Sequence, residues 1–134
     1  METNVQSKIV IAGTSHLTKR PHDTPCNVIE LMCEATQRAA EDAGNDAILS
    51  VVDQIIVPQG TWTINNPGGL VAQHLGIPAK SITYNVGILQ SSLVKRAIED
   101  VNAAKSRCTL IVGGEAKDYE RNVSESLHAI PTLS

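Results

Sequence analysis

Aromatic residues are scarce in this chain of 134 residues: phenylalanine is absent, and one tryptophan and two tyrosines make up 2% of the sequence. Hydrophobic residues nevertheless account for 42% and charged residues for 19%, which is typical of a globular protein rather than a disordered one. The core must therefore be packed from valine, isoleucine, leucine and alanine. The length fits one domain, and a domain of this size folds without a structural metal or disulfide.

Clusters of basic residues are also missing. Eleven lysines and arginines are outnumbered by fourteen acidic residues and form only two adjacent pairs, Lys19-Arg20 and Lys95-Arg96. Nucleic-acid binding depends on phosphate neutralisation and aromatic stacking, so this class of function is largely excluded. No apolar run approaches the roughly eighteen residues of a membrane span, and residues 1–4 lack a signal-peptide pattern. We therefore expect a cytoplasmic protein that binds neither nucleic acid nor membrane.

Cysteine and histidine form no recognisable ligand pattern. Cys26, Cys33 and Cys108 lack the spacing of a disulfide framework or a zinc site, and the four histidines share no ligand spacing, so we predict no metal site. Cys33 and Cys108 are interpreted as small hydrophobic residues of the core or its boundary. Cys26 lies in the first turn of a predicted helix, where a thiol can be reactive, but we favour a packing role. His16 follows the first predicted strand at the ligand-binding end of a sheet, whereas His74 is interpreted as a surface residue.

Short aliphatic runs alternate with helical patterns along the chain. Strands are predicted at 8–12, 51–57, 81–86 and 109–112. The first predicted helix begins at Thr24 and Pro25 and ends before Gly44; the second begins after the cap Asn66 and ends at Gly76; the third covers about four turns through residues 93–104. This order predicts an α/β fold, a layered structure with four main strands alternating with helices. We expect one α/β domain over residues 1–118 and a C-terminal tail, with helical spacing of apolar residues, over 119–134.

The junction between the third predicted strand and the following helix is the candidate pocket. Free backbone N–H groups and the positive end of the helix point there at one spot, which suits an oxyanion or a nucleophile. Ser91 could attack in principle, but no histidine lies at local spacing. We therefore favour Ser91 and Ser92 as first-turn residues that satisfy backbone donors of the helix. The candidate pocket consists of Asn85, Gly87, Ile88, Gln90 and Ser91.

Four segments of the chain, taken in order, resemble the N-terminal half of the thiolase superfamily, nearest to its acetyl-CoA acetyltransferase and sterol-carrier-protein-type thiolase-like branch. They are Ile9-Val10-Ile11-Ala12-Gly13, Asn66-Pro67-Gly68-Gly69-Leu70 with Leu75-Gly76-Ile77, the junction at Gly87, and Leu110-Ile111-Val112-Gly113-Gly114-Glu115-Ala116. They cover most of residues 8–118. The resemblance implies a layered thiolase-like half-domain related to acyl-CoA and lipid metabolism, with acyl-CoA as the candidate ligand and no other cofactor.

The resemblance also shows where a nucleophile is missing. Thiolases carry a cysteine at the N-terminus of the helix after the third strand, and its thiolate attacks the acyl-CoA thioester. That position falls on Gly87, or on Ile88 if the final glycines align one step differently. No cysteine lies between Ser81 and Arg107, so no catalytic residue is assigned. The second half of the family fold, which supplies a histidine and further CoA-binding groups, has no match in this chain.

Three hypotheses follow from these observations. The first is a thiolase-like acyltransferase relative that is inactive alone; the second is a non-enzymatic scaffold or one half of a split thiolase-like assembly. The third is a different reaction on acyl-CoA, such as a retro-aldol cleavage, which would need a general base. A lone half exposes aliphatic surface that rarely stays unpaired, so we expect a homo-oligomer, as a dimer, or a C-terminal-half partner. The resemblance adds a dimer contact through residues 81–86.

Overall fold

The computed structural model describes residues 9–18, 27–84 and 90–115. These ranges contain three α-helices, one 3₁₀ helix and three β-strands. In chain order they are α1 (Val28–Asp42), the 3₁₀ helix (Asp46–Val51), β1 (Gln54–Pro58), α2 (Pro67–Leu75), β2 (Lys80–Tyr84), α3 (Gln90–Asn102) and β3 (Thr109–Ile111). No helix in these ranges has both the length and the apolar character needed to cross a membrane.

The three strands form one parallel sheet in the order β2-β1-β3. β1 lies in the centre and pairs with β2 from Gln54 to Pro58 and with β3 from Gln54 to Ile56. α2 connects the neighbouring strands β1 and β2, and α3 connects β2 to β3 across β1. The predicted α/β class, with strands alternating with helices, is therefore confirmed.

Helices cover both faces of β1. Ile55 and Val57 belong to a core cluster that also contains residues of α1 and α2. Because side chains alternate along a strand, Gln54 and Ile56 point to the opposite face, where α3 packs against β1 and β3. All four side chains are buried. This burial on both faces explains why the strand appears in the sequence as a nearly continuous apolar run.

α1 begins three residues later than its pattern predicted. Asn27 is its N-cap: the Asn27 side chain accepts a hydrogen bond from the Glu30 amide (2.8 Å), and the Glu30 carboxylate accepts one from the Asn27 amide (3.1 Å). This reciprocal capping box satisfies two backbone donors, which makes Asn27 the better helix start than Thr24. Thr24 and Pro25 lie outside the described residues.

α2 has the bounds that its sequence predicts. Asn66 caps it with its side chain on the Gly69 amide, Pro67 is its first residue, and Gly76 ends it in the left-handed conformation (φ 67°). Asn66 itself has a φ of 51°, a conformation that asparagine tolerates better than most residues. The local chemistry of caps and stops is therefore sufficient to place this helix.

The predicted first strand is wrong. Residues 9–12 belong to no strand, and the Ile9, Val10 and Ile11 side chains are 37%, 72% and 75% exposed. The chain that follows is fixed on α1, where Thr14 donates its amide to Asp42 (2.9 Å). An aliphatic run becomes a buried strand only beside another strand, and the described residues place none there. The described sheet consequently has three strands instead of four.

The remaining boundaries shift by a few residues. The second predicted strand begins at Gln54 rather than at residue 51, because Val51 ends the 3₁₀ helix that Asn45 caps through the Ala47 amide (2.9 Å). The third and fourth predicted strands are β2 and β3, and the third predicted helix is α3. Residues 85 and 86 of the third predicted strand lie outside the described residues, as does the tail 119–134.

Gly68 sets the distance between α2 and the sheet. A Cβ atom on Gly68 would lie 2.6 Å from the Ser81 Cβ and 3.3 Å from a methyl group of Val57. In an unhindered helix Gly→Ala stabilises by about 1 kcal/mol. Here we expect Gly68→Ala to lower the free energy of unfolding, because overpacking costs about 1–3 kcal/mol. Urea denaturation measures this change, with Gln73→Ala at an exposed position of α2 as control; a more stable Gly68→Ala variant would contradict the close packing.

Candidate functional site

The candidate site lies at the carboxyl edge of the sheet, where the parallel strands all end. In open α/β sheets ligands bind outside this edge. In this protein it is formed by the loop after β1, residues 59–62, by the end of β2 at Tyr84, and by residues 113–115 after β3. We refer to these three segments together as the carboxyl-edge site.

A carboxylate joins the ends of β1 and β3. Glu115 accepts two hydrogen bonds from Thr61, one from its amide (2.7 Å) and one from its hydroxyl (2.8 Å). Gly60 allows this approach, since a Cβ there would lie 2.6 Å from the Glu115 Oε1. The Glu115 carboxylate therefore connects the loop after β1 to the segment after β3. We refer to this pair of hydrogen bonds between Glu115 and Thr61 as the Glu115 clamp.

Trp62 closes the same site from the core side. Its side chain is 4% exposed and belongs to the main core cluster, and its indole N–H donates to the Gly114 carbonyl (2.8 Å). Gln59 connects the end of β1 to the end of β2. Its side-chain amide donates to the Trp62 carbonyl (2.8 Å), and its backbone amide donates to the Tyr84 carbonyl (2.7 Å). The ends of all three strands are thus connected by hydrogen bonds. The sequence analysis assigned Trp62 no role, although a single tryptophan in the chain was a signal of burial.

Two residues of the predicted pocket, Gln90 and Ser91, lie within the described residues. Gln90 is the first residue of α3, and Ser91 is an exposed residue of its first turn, as predicted. Asn85, Gly87 and Ile88 lie outside the described residues. Because Tyr84 ends β2 at the carboxyl edge and α3 begins six residues later, the junction leaves the sheet at the same edge as the Glu115 clamp.

The described cysteines are half-buried beside the core, which confirms their predicted packing role. Burial raises the pKa of the Cys33 thiol, and the Glu30 carboxylate raises it further. Burial likewise raises the pKa of Cys108, with a contribution from Asp53. Both thiols are therefore protonated at neutral pH and poor nucleophiles. Cys26 lies outside the described residues.

Histidine contributes little to the described part of the site. His74 is exposed in the last turn of α2, which confirms the surface role predicted for it. His16 is exposed as well, but it does not follow a strand, so its predicted place at the end of the sheet is wrong. Within the described ranges, no group of three or more histidine, cysteine or acidic residues is arranged to hold a metal ion.

The opposite, amino edge of the sheet holds a polar cluster that sequence reasoning missed. Asp100 of α3 accepts a hydrogen bond from the buried Gln54 side chain (2.9 Å) and pairs with Arg96 (3.1 Å). Asp53 accepts hydrogen bonds from the Ser106 hydroxyl (2.6 Å) and the Arg107 amide (2.9 Å). Most of these contacts join residues about fifty positions apart, so no local pattern announces them.

The polar cluster lowers the pKa of both of its aspartates, Asp53 and Asp100. The hydrogen bond from Gln54 lowers the pKa of Asp100, and the Arg96 guanidinium lowers it further against the opposing effect of burial. Burial acts to raise the pKa of Asp53, but the hydrogen bonds from Ser106 and from backbone amides outweigh it and lower the pKa overall. The hydrogen bonds of these carboxylates connect β1 with α3 and with the loop before β3, so they stabilise the fold.

Comparisons with known proteins add no relatives. No family model, no curated protein and no solved structure matches this chain. The residues of the chain and the geometry of the two sheet edges are therefore the basis for assigning a function.

Acid should destabilise the protein through Asp53. The pKa of Asp53 is lower in the folded protein than in the unfolded chain, so the ionised carboxylate stabilises the fold. This stabilisation is fully present above the unfolded pKa of about 3.9 and is lost as the pH falls through the folded pKa. We expect Asp53→Asn to cost about 1–3 kcal/mol at pH 7 and to weaken the acid dependence, because an amide keeps only one of the two acceptor oxygens that Ser106 and Arg107 use. Urea denaturation from pH 7 to 3 measures both. Asp46→Asn, at an exposed position, should stay within about 0.5 kcal/mol of the parent; equal pH profiles for parent and Asp53→Asn would contradict this role.

The Glu115 clamp should protect the loop after β1. We expect Glu115→Gln to weaken both contacts with Thr61 and to cost about 1 kcal/mol, which corresponds to roughly fivefold faster local opening. Amide hydrogen exchange at Thr61 measures this opening directly. Glu41→Gln, an exposed substitution on α1, is the matched control and should leave exchange at Thr61 unchanged. Unchanged exchange at Thr61 in Glu115→Gln would show that the clamp does not hold the loop.

Proposed function

We propose that this domain is a thiolase-like half-domain of acyl-CoA and lipid metabolism, which binds acyl-CoA at its carboxyl edge without forming an acyl-cysteine itself. The observation that carries the proposal is the strand-to-helix junction between β2 and α3 with no cysteine from Ser81 to Arg107. The order of elements from β1 to β3 supports it, since a layered thiolase-like half needs a strand that leads directly into a helix at this edge. Covalent acyl transfer of the thiolase kind requires a thiolate at that point.

The positions of the described thiols support a non-covalent role. Cys108 precedes β3 and lies at the amino edge, about 10–15 Å along the strands from the carboxyl edge. Cys33 lies in the middle of α1. Burial raises the pKa of both thiols, so neither combines the position and the ionisation that attack on a thioester at the junction demands.

The N-terminus of α3 can offer backbone donors to a ligand. The first amides of α3 lack partners within the helix, and a helix N-terminus favours a partial or full negative charge. A thioester carbonyl oxygen or a phosphate of CoA has this character. By the resemblance, the histidine and further CoA contacts belong to a second α/β half, in the same polypeptide or in another chain.

Calorimetric titration with acetyl-CoA and a longer acyl-CoA, followed by intact-mass analysis of the same samples, tests the proposal. We expect reversible binding without an added acyl mass. A stable acyl adduct on any cysteine would overturn the non-covalent role. Absence of binding in all titrations would overturn the acyl-CoA role and leave the domain as an interaction module.

Restoring a thiol provides a gain-of-function arm of the same experiment. We expect Gly87→Cys or Ile88→Cys to acquire an acyl group from acyl-CoA with release of the CoA thiol. These positions precede α3 by three and two residues in the sequence, and a helix N-terminus promotes the thiolate. Asn102→Cys, at the C-terminal end of α3, is the matched control and should remain unmodified. Equal labelling at both ends of the helix would indicate unselective acylation and would count against a thioester site at the junction.

A second candidate function is a non-enzymatic interaction module, as one half of a split assembly or as a scaffold. The observation that favours it is the exposure of Ile9, Val10 and Ile11, since adjoining exposed aliphatic side chains indicate a binding surface. Association without acyl-CoA binding would favour this function over the first.

A further inference from the structure

Residues 9–12, Ile-Val-Ile-Ala, form an unpaired aliphatic run, which we call the 9–12 run. Val10 and Ile11 are the most exposed large hydrophobic side chains of the described residues, at 72% and 75%. Valine and isoleucine favour extended backbone, because their branched side chains pack well on a pleated surface. The run therefore has the composition of a buried strand and the exposure of a loop.

The chain next to the run is fixed on α1. Gly13 packs so closely that a Cβ there would lie 2.8 Å from the Ala43 amide nitrogen. Thr14 donates its amide to the Asp42 carboxylate (2.9 Å), and Ser15 donates its hydroxyl to the Ala35 carbonyl (2.6 Å). These contacts determine where the run leaves the domain, and in this arrangement it pairs with no described strand of its own chain.

The same chain presents an open sheet edge at β3. Cys108 accepts a hydrogen bond from Asp53, and Val112 donates one to Ile56, so their backbone groups face β1. By the alternation of a strand, the backbone groups of Thr109 and Ile111 point away from β1, where the described residues provide no neighbouring strand. β3 carries no charge and no proline, the usual features that protect an edge from pairing with another chain.

We propose that the 9–12 run of one copy adds as a strand to the outer edge of β3 in a second copy, and that the second copy returns the same contact. Both segments are uncharged, so two chains of net charge −3 can meet at this edge without local repulsion. One strand of four residues is too small for a specific interface, which buries about 1,200–2,000 Å² in total. A twofold dimer makes the contact twice, and this requirement favours the reciprocal arrangement over a single addition. The proposal does not depend on acyl-CoA binding.

Sedimentation equilibrium of the full chain, up to about 100 µM, tests the dimer and the role of the run. We expect a dimer in the parent protein. Val10→Lys should weaken it at least about tenfold, because a charge would replace an apolar contact. Val51→Lys, another exposed valine at 52%, is the matched control and should dimerise like the parent.

A second pair of variants tests the acceptor edge. Ile111→Pro removes the amide that points away from β1 and leaves the β1 ladder intact, so the dimer should be lost. Ile111→Ala removes more side-chain packing than Ile111→Pro does but keeps the backbone amide, so this variant should still dimerise. Circular dichroism verifies that both variants are folded.

Three results would overturn the proposal. The first is a monomeric parent protein, whether the run is covered by the tail of its own chain or by nothing. The second is a dimer that survives Val10→Lys and Ile111→Pro, which would place the contact on another surface such as the edge of β2. The third is a dimer lost in Val10→Lys but retained in Ile111→Pro, which would mean that the run binds elsewhere than β3.

Discussion

Both faces of β1 are buried, and this burial dictates how the helices are arranged around the sheet. Its residues from Gln54 to Val57 are all buried, so helices must cover the sheet on either side. The buried Gln54 side chain also requires a hydrogen-bond partner, because burying an amide without one would cost free energy. Asp100 supplies its partner from α3, and this contact fixes the helix over the strand. One polar residue in an otherwise apolar strand thus determines how the second layer of helices is placed.

The two edges of the sheet consequently serve different purposes. At the amino edge, the carboxylates of Asp53 and Asp100 accept hydrogen bonds from other residues of the domain. These bonds stabilise the domain and occupy acceptors that a ligand would otherwise use. At the carboxyl edge, Trp62 and Glu115 connect the loops after the strands, and this connection gives a rigid base beside the start of α3. A ligand site is best built on such a base, because preorganised loops lose less entropy on binding. The geometry thus favours the carboxyl edge for function.

Local signals in the sequence predicted the elements they govern. Asn66, Pro67 and Gly76 placed α2, since a cap, a first-turn proline and a left-handed stop act within one turn. The capping box of Asn27 and Glu30 was equally local and could have been recognised. The strand predicted at the 9–12 run was wrong, because a strand needs a neighbouring strand and no local pattern in the sequence indicates one. The bonds of Asp53 to Ser106 and Arg107 depend likewise on the fold as a whole. For the candidate site, the sequence predicted the junction but not Trp62 or the Glu115 clamp.

The chemistry open to this domain follows from where its thiols and its unpaired surfaces lie. A thioester is attacked by a thiolate held beside the backbone donors that stabilise the oxyanion, so position and ionisation are both required. In the described residues the thiols are half-buried, and burial raises their pKa, while the sequence of the junction offers no sulfur. In the described residues, by contrast, the 9–12 run is exposed and the outer side of β3 pairs with no strand. The proposed binding of acyl-CoA and the proposed pairing with a second copy both rest on backbone donors and exposed apolar side chains rather than on a thiolate.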